Sequence, residues 1–181
     1  MTSRHVHIIY LSLLSLSLLG YIIPDKHSES TSAPERSPAS LNSKMIGNLE
    51  KVHVGEDRDL QYYAKIDSGA ESSSIHAKNI STFEKLENGR PVSYVKFETT
   101  DENSFHKTMV RPIVKVDEVR SALGSNLRYF IREKVWIGDS SYYVNVNLAD
   151  RSRLKRKFLI GKNILDENYI INTNEVSLTS H

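Results

Sequence analysis

Short β-patterned segments, cut by turn signals roughly every 8–12 residues, run from Lys51 to Ile171 and confine this chain to an all-β architecture. Lys51-Val52-His53-Val54 and Leu60 to Ile66 flank a turn at Gly55-Glu56-Asp57. Val92 to Thr99 alternates, with Val92, Tyr94 and Phe97 set between polar neighbours. Thr100-Asp101-Glu102-Asn103 reads as the turn that sends the chain back through Ser104 to Val110. Ile113 to Val116 predicts a further strand, and Arg128 to Ile137 pairs with Ser141 to Leu148 around Gly138-Asp139-Ser140. Phe158-Leu159-Ile160 predicts a short apolar strand, Asn163 to Glu167 one or two helical turns, and Tyr169-Ile170-Ile171 a final strand. β-branched and aromatic residues at this spacing fit a barrel or a sandwich.

The β-patterned part, expected as one domain over residues 44–178, does not start at the N-terminus. Arg4, His5 and His7 precede an uncharged, Leu-rich run from Ile8 to Ile23. This n-region followed by an h-region predicts a signal peptide or membrane anchor over residues 1–23. The run is long for a cleaved h-region, short of a full span of about 20 residues, and followed by no Ala-x-Ala site, which favours an anchor. Residues 24–43 hold Pro24, Pro34, Pro38 and many Ser, cannot bury apolar surface, and predict a flexible linker. The expected location is therefore the periplasm, free or anchored in the inner membrane and facing the periplasm.

Formal net charge is only +2, with basic and acidic residues interspersed, so no nucleic-acid partner is expected. The basic cluster from Arg151 to Lys157 reads as a solvated loop or a substrate-facing rim. Cysteine is absent, which excludes disulfides, thiol catalysis and thiolate metal sites. No His-Glu-x-x-His helix and no Gly-rich phosphate loop with Lys-Ser/Thr occurs, and His53, His76 and His106 are scattered. No metal and no cofactor are expected, and His76 reads as a hydrogen-bonded structural residue.

Asp67-Ser68-Gly69, followed by Ala70, closes the segment Tyr62-Tyr63-Ala64-Lys65-Ile66. A carboxylate thus leaves an apolar-patterned strand into a turn where Gly supplies backbone freedom. A second element follows about ninety residues on: Phe158-Leu159-Ile160-Gly161-Lys162-Asn163-Ile164-Leu165, an apolar strand, a Gly, then a short helix with a basic first residue.

Ile66-Asp67-Ser68-Gly69-Ala70 joined to Leu159-Ile160-Gly161-Lys162-Asn163-Ile164-Leu165 resembles a retropepsin, the single-domain aspartic protease of retroviral type. Lys65 to Ala77, with Leu148-Ala149-Asp150-Arg151, is similar to a bacterial retropepsin-like family. Its members are labelled ATP-dependent zinc proteases and associated by context with RimK-type glutamate ligases. The resemblance covers about residues 48–175. It implies a closed β-barrel with one short C-terminal helix, preceded by the N-terminal hydrophobic segment and linker, and an aspartic endopeptidase that works as a homodimer on a peptide or protein substrate.

The resemblance also implies residue roles. Two Asp67 carboxylates, one per chain, would share a proton and activate a water, because like charges that close cannot both ionise. Ser68 would tie the two loops across the two-fold axis by its hydroxyl. Gly69 would present backbone groups to the dyad or substrate, with Ala70 and Gly161 supporting the site. Lys162 and Glu71 hold the positions of a structural Arg–acid pair, although Lys lacks the planar two-pronged contact of Arg. The hairpin around Arg120 to Asn126, with Leu123 and Gly124 at its tip, is the flap candidate, or else a plain surface hairpin. Two rival functions stay open: a non-enzymatic peptide-binding module on the same scaffold, and the zinc-dependent peptidase of the family label.

Overall fold

The computed structural model describes residues 43–121 and 124–179. The expected signal or anchor, and the linker up to residue 42, lie outside the described residues. The first and last short strands, β1 (Lys44–Ile46) and β11 (Tyr169–Ile171), pair with each other in parallel. The other strands form one sheet. In chain order they are β2 (Leu49–Val54), β3 (Leu60–Ile66), β4 (Ser73–His76), β5 (Lys78–Glu87), β6 (Arg90–Thr100), β7 (His106–Ser121), β8 (Gly124–Ile137), β9 (Ser140–Ala149) and β10 (Phe158–Ile160). Their order is β2-β3-β10-β4-β9-β8-β7-β6-β5, and β2 also pairs with β8 through Val52↔Ile137, His53↔Trp136 and Val54↔Val135. That extra pairing closes β2, β3, β10, β4, β9 and β8 into a barrel. Closure leaves none of these strands with an open edge, while β7, β6 and β5 continue outward from β8 as an antiparallel arm.

Period-two patterning fills the barrel. Val52, Val54, Leu60, Tyr62 and Ala64 alternate inward along β2 and β3 and are fully buried. β10 is buried at all three positions because strands flank it on both sides, parallel β3 on one and antiparallel β4 on the other. Burial of each of Phe158 and Ile160 stabilises the barrel by about 1.5–3 kcal/mol. One helical turn, α1 (Lys162–Leu165), follows β10 and buries Ile164 and Leu165.

Four elements differ from the sequence expectation; one is β1 (Lys44–Ile46), which lies before the first segment read at Lys51. β5 was not foreseen: nine of its ten positions are exposed, so no apolar alternation marks it. Its turn is nevertheless written at Asn88-Gly89, where both residues take positive φ (51° and 76°), the geometry of a two-residue hairpin matched to strand twist. β4, Ser-Ser-Ile-His, is too short and polar to announce itself, yet every residue in it is buried. The segments read as Ser104–Val110 and Ile113–Val116 run on without a break as one strand, β7 from His106, whose pairing with β8 is irregular between Ile113 and Lys115.

The chain after β11 is fastened by a buried carboxylate. Glu50, fully enclosed on β2, accepts hydrogen bonds from the backbone N–H groups of Gly47 (2.6 Å), Leu178 (3.0 Å) and Thr179 (3.2 Å) and from the Thr179 hydroxyl (2.8 Å). Glu50→Ala strands these donors and is expected to lower the unfolding free energy by about 2–4 kcal/mol, read from the urea midpoint at unchanged m-value. A midpoint equal to that of the parent protein would contradict the role given to Glu50.

Candidate active site

The site is built where the chain wraps round the end of β10. β3 and β10 run parallel, with Lys65 beside Leu159 and Ile66 beside Ile160. Past the strand ends the two backbones stay tied: Asp67 N–H donates to Ile160 O (3.0 Å), Lys162 N–H to Ala70 O (2.8 Å) and Asn163 N–H to Glu71 O (3.3 Å). The loop 67–72 then turns into β4, which pairs with the other side of β10. Gly161 lies inside this wrap. A Cβ there would sit 2.6 Å from Ser72 C, 2.7 Å from Ala70 O and 2.8 Å from Ser72 O. Its φ of −104° suits any residue, so space and not conformation demands glycine.

A buried polar network fixes the wrap. Ser73 Oγ accepts from Gly161 N–H (3.2 Å) and donates to Asn163 Oδ1 (2.9 Å), which also takes Ser73 N–H (2.8 Å). Asn147 Nδ2 on β9 donates to Ser73 O (2.9 Å), and Asn163 Nδ2 donates to Asn145 O (2.9 Å). Loop, β4, β9 and α1 thus share one set of satisfied donors and acceptors, and such sets specify a single arrangement. Sequence reasoning missed Ser73, Asn147 and Asn163. The asparagines in Val144-Asn145-Val146-Asn147 were the available signal, polar groups inside a strand-forming run.

Asp67 is presented outward on this frame. Its side chain is 29% exposed; Oδ1 accepts Gly69 N–H (3.1 Å) and Oδ2 accepts Lys65 Nζ (3.1 Å). A Cβ at Gly69 would come to 3.3 Å from Asp67 Oδ1, tight against the carboxylate. The Lys65 contact, assisted by the Gly69 N–H and by the charges of Lys65 and Arg151, holds the Asp67 carboxyl below its usual value against a smaller opposing effect of burial. In the single chain these contacts favour the ionised form of Asp67. Ser68 and Gly69 are exposed beside it and Ala70 is half-buried. Glu71 meets Lys162, Nζ to Oε1 at 2.6 Å, on an open surface. Leu123 lies outside the described residues; the backbone of Gly124 opens β8 and pairs with Ser121, so β7 and β8 form a hairpin at the expected flap position.

Arg151 departs from its reading as part of a solvated or rim cluster. It is 9% exposed, its Nε donates to Arg156 O (3.1 Å), and it lies within electrostatic reach of Asp67. Lys157 closes the same loop by donating to the carbonyls of Arg151, Ser152 and Leu154.

His76 is buried and accepts the Arg151 N–H at Nδ1 (2.9 Å), which leaves the ring proton on Nε2; burial, with the charge of Lys157, lowers its pKa. His106 Nδ1 meets Thr100 Oγ1 (2.9 Å), and His53 lies on β2 opposite Gln61 and Trp136. Among the described residues no group of three or more His, Asp and Glu is placed to hold a metal ion, so these side chains do not fit the zinc of the family label.

Residues 45–178 match the family described as RimB-like, retropepsin-like aspartic endopeptidase RimB. The chain is also similar to proteins named "Probable alpha-L-glutamate ligase": 30% identical over 103 residues in Parasynechococcus marenigrum, 30% over 116 in Shewanella pealeana and 29% over 135 in Desulfotalea psychrophila. The matches take in 55%, 62% and 72% of this chain but 21%, 24% and 28% of those proteins, so the chain spans about a quarter of their length. Among solved structures, a Legionella pneumophila protein of unknown function aligns with a TM-score of 0.62 at 26% identity, over 77% of this chain and 99% of that one.

Gly161→Ala forces a methyl group into backbone atoms that cannot swing aside. It is expected to cost about 1–3 kcal/mol in denaturant titrations. Lys162→Ala, which removes an exposed pair, is expected to leave the midpoint close to that of the parent. The reverse order of effects would show that the ion pair, and not the wrap, holds the loop.

Proposed function

We propose that this chain, which belongs to the RimB-like family of retropepsin-like aspartic endopeptidases over residues 45–178, cleaves peptide bonds as a homodimer in which each protomer supplies one Asp67. The observation that carries this reading is the outward-facing Asp67 carboxylate on a loop locked round Gly161, with exposed Ser68 and Gly69 beside it. A second copy approaching that face would bring two carboxylates together. One would then hold a proton, and the titration would belong to the pair.

The ionised carboxylate takes a proton from a water lodged between the pair, and the water oxygen attacks the peptide carbonyl carbon. The protonated carboxyl hydrogen-bonds the carbonyl oxygen as it gains charge. The gem-diol then collapses, a proton passes to the amide nitrogen, and the C–N bond breaks without a covalent enzyme intermediate. Lys65 must leave Asp67 for the shared proton to form. Its side chain is 58% exposed, and an exposed ion pair is weak enough to yield to assembly. The β7–β8 hairpin serves as flap. The reading puts the enzyme in the periplasm, tethered by or released from residues 1–23, an expectation from sequence alone.

A second reading draws on the curated relatives, whose printed name is that of a ligase and of whose length the matched part makes up 21% and 24%. On it the domain is a non-enzymatic peptide-binding module of the kind that accompanies another activity.

Asp67→Asn separates the two. The endopeptidase reading expects cleavage to fall by about a thousandfold or more at an unchanged melting temperature. It also expects kcat/KM to peak at a pH where one of two coupled carboxyls is protonated, whereas an isolated protomer titrates Asp67 below the usual carboxylate value by NMR. Cleavage retained in Asp67→Asn would overturn it.

A further inference from the structure

His76 has no part in the proposed chemistry, yet it fastens the loop that carries Arg151. It ends β4, where every residue is buried, and is itself 4% exposed. Its backbone N–H donates to Lys157 O (2.8 Å) and its Nδ1 accepts Arg151 N–H (2.9 Å), so one residue grips both ends of the loop 151–157. Within the loop Leu154 N–H returns to Arg151 O (3.0 Å) and Arg151 Nε donates to Arg156 O (3.1 Å). Lys157 Nζ gathers the carbonyls of Arg151, Ser152 and Leu154. The loop is one unit, and the imidazole holds its first residue.

A backbone N–H can only donate, so the contact with Arg151 requires a bare Nδ1. A proton placed there would set two donors against each other. A second acceptor stands beside the ring: Asp150 Oδ1 lies 3.7 Å from Nδ1, on an exposed carboxylate that now takes Ser152 N–H (2.9 Å). Protonation from solvent would move Nδ1 from Arg151 N–H to Asp150 and disturb the first two backbone contacts of the loop together. Burial disfavours an imidazolium here, as do the charges of Lys157, Lys78 and Arg151, while Asp150 favours it. The closed loop therefore holds the ring below the ordinary imidazole value. An opened loop returns the ring towards that value, binds the proton more tightly, and gains on the closed form as pH falls below it.

We infer that His76 is an acid-sensitive latch: uncharged, its ring positions Arg151 behind Asp67; charged, it turns to Asp150 and lets the 151–157 loop open. With Lys65 and the Gly69 N–H, Arg151 helps to hold Asp67 ionised in the single chain. Opening the loop withdraws the Arg151 charge and eases protonation of Asp67, the state that the proposed dyad needs in one of its two members. That last step rests on the proposed endopeptidase; the latch itself does not.

The chain has no cysteine, so Leu154→Cys gives a single labelling site at an exposed point of the loop, and its one tryptophan, Trp136, reports on the barrel. In the full chain, the anisotropy of tetramethylrhodamine at that site is expected to fall as pH is lowered from about 7.5 to about 5, at unchanged Trp136 emission. His76→Asn keeps an acceptor near the place of Nδ1 and takes up no proton, so its anisotropy is expected to stay high throughout. Asp150→Asn removes the carboxylate that receives the charged ring and is expected to lower the midpoint by about half a pH unit. If His76→Asn does not fold, Asp150→Asn decides by the same readout. Anisotropy that stays flat in the parent, or a transition that either folded variant leaves in place, overturns the latch. A working latch in a protein that cleaves nothing would sustain this inference and remove the protease reading instead. A working latch with the same acid limb of kcat/KM in the parent and in His76→Asn would overturn the link to Asp67.

Discussion

The loop from Asp67 to Ser72 and the end of β10 occupy the same space, and the rest of the site follows from how closely they pass. Glycine at 161 is the only side chain that lets Ala70 O and the Ser72 backbone approach it. That approach aligns Asp67 N–H with Ile160 O and Lys162 N–H with Ala70 O, fixing where the carboxylate leaves the barrel. The barrel supports the arrangement from below. β10, held between β3 and β4, cannot slide without breaking ladders on both sides, and β3 is itself held by β2, whose pairing with β8 closes the barrel. The loop therefore gains its rigidity from a strand that does not itself carry Asp67.

Charge is distributed with the same economy. Asp67 faces solvent with Lys65 and the Gly69 N–H on its two oxygens, and Arg151 stands behind it. In a single protomer this arrangement favours the ionised state. A carboxylate held below its usual value keeps these contacts at neutral pH and gives them up only as pH falls through the lowered value. In the proposed homodimer a second Asp67 would change that balance, because two adjacent carboxylates retain a proton that one does not.

The sequence made some of this legible and hid the rest for physical reasons. Asp67-Ser68-Gly69-Ala70 and Leu159-Ile160-Gly161 could be read because the two motifs together resemble a family signature, and at Gly161 backbone crowding explains the residue. β2, β3, β6, β8 and β9 could be read because one face of each is buried. β5 could not, since an exposed edge strand carries no alternation; only Asn88-Gly89 marked its hairpin. β4 could not, because its burial comes from neighbours remote in sequence, and the polar groups of Ser73 find their partners in Asn163 and Asn147. Arg151 looked like one more charge in a basic run, and its enclosure beside Asp67 depends on a loop whose carbonyls are gathered by Lys157.

A site divided between two identical chains has a quantitative signature. Wild-type protein and Asp67→Asn protein can be mixed in denaturant at a series of ratios, refolded together, and assayed at constant total concentration. If each active centre takes one Asp67 from each of two chains, peptide cleavage falls with the square of the wild-type fraction, because a mixed dimer holds only half of the dyad. A fall directly proportional to that fraction would mean that a single chain carries a complete catalytic centre and would contradict the account.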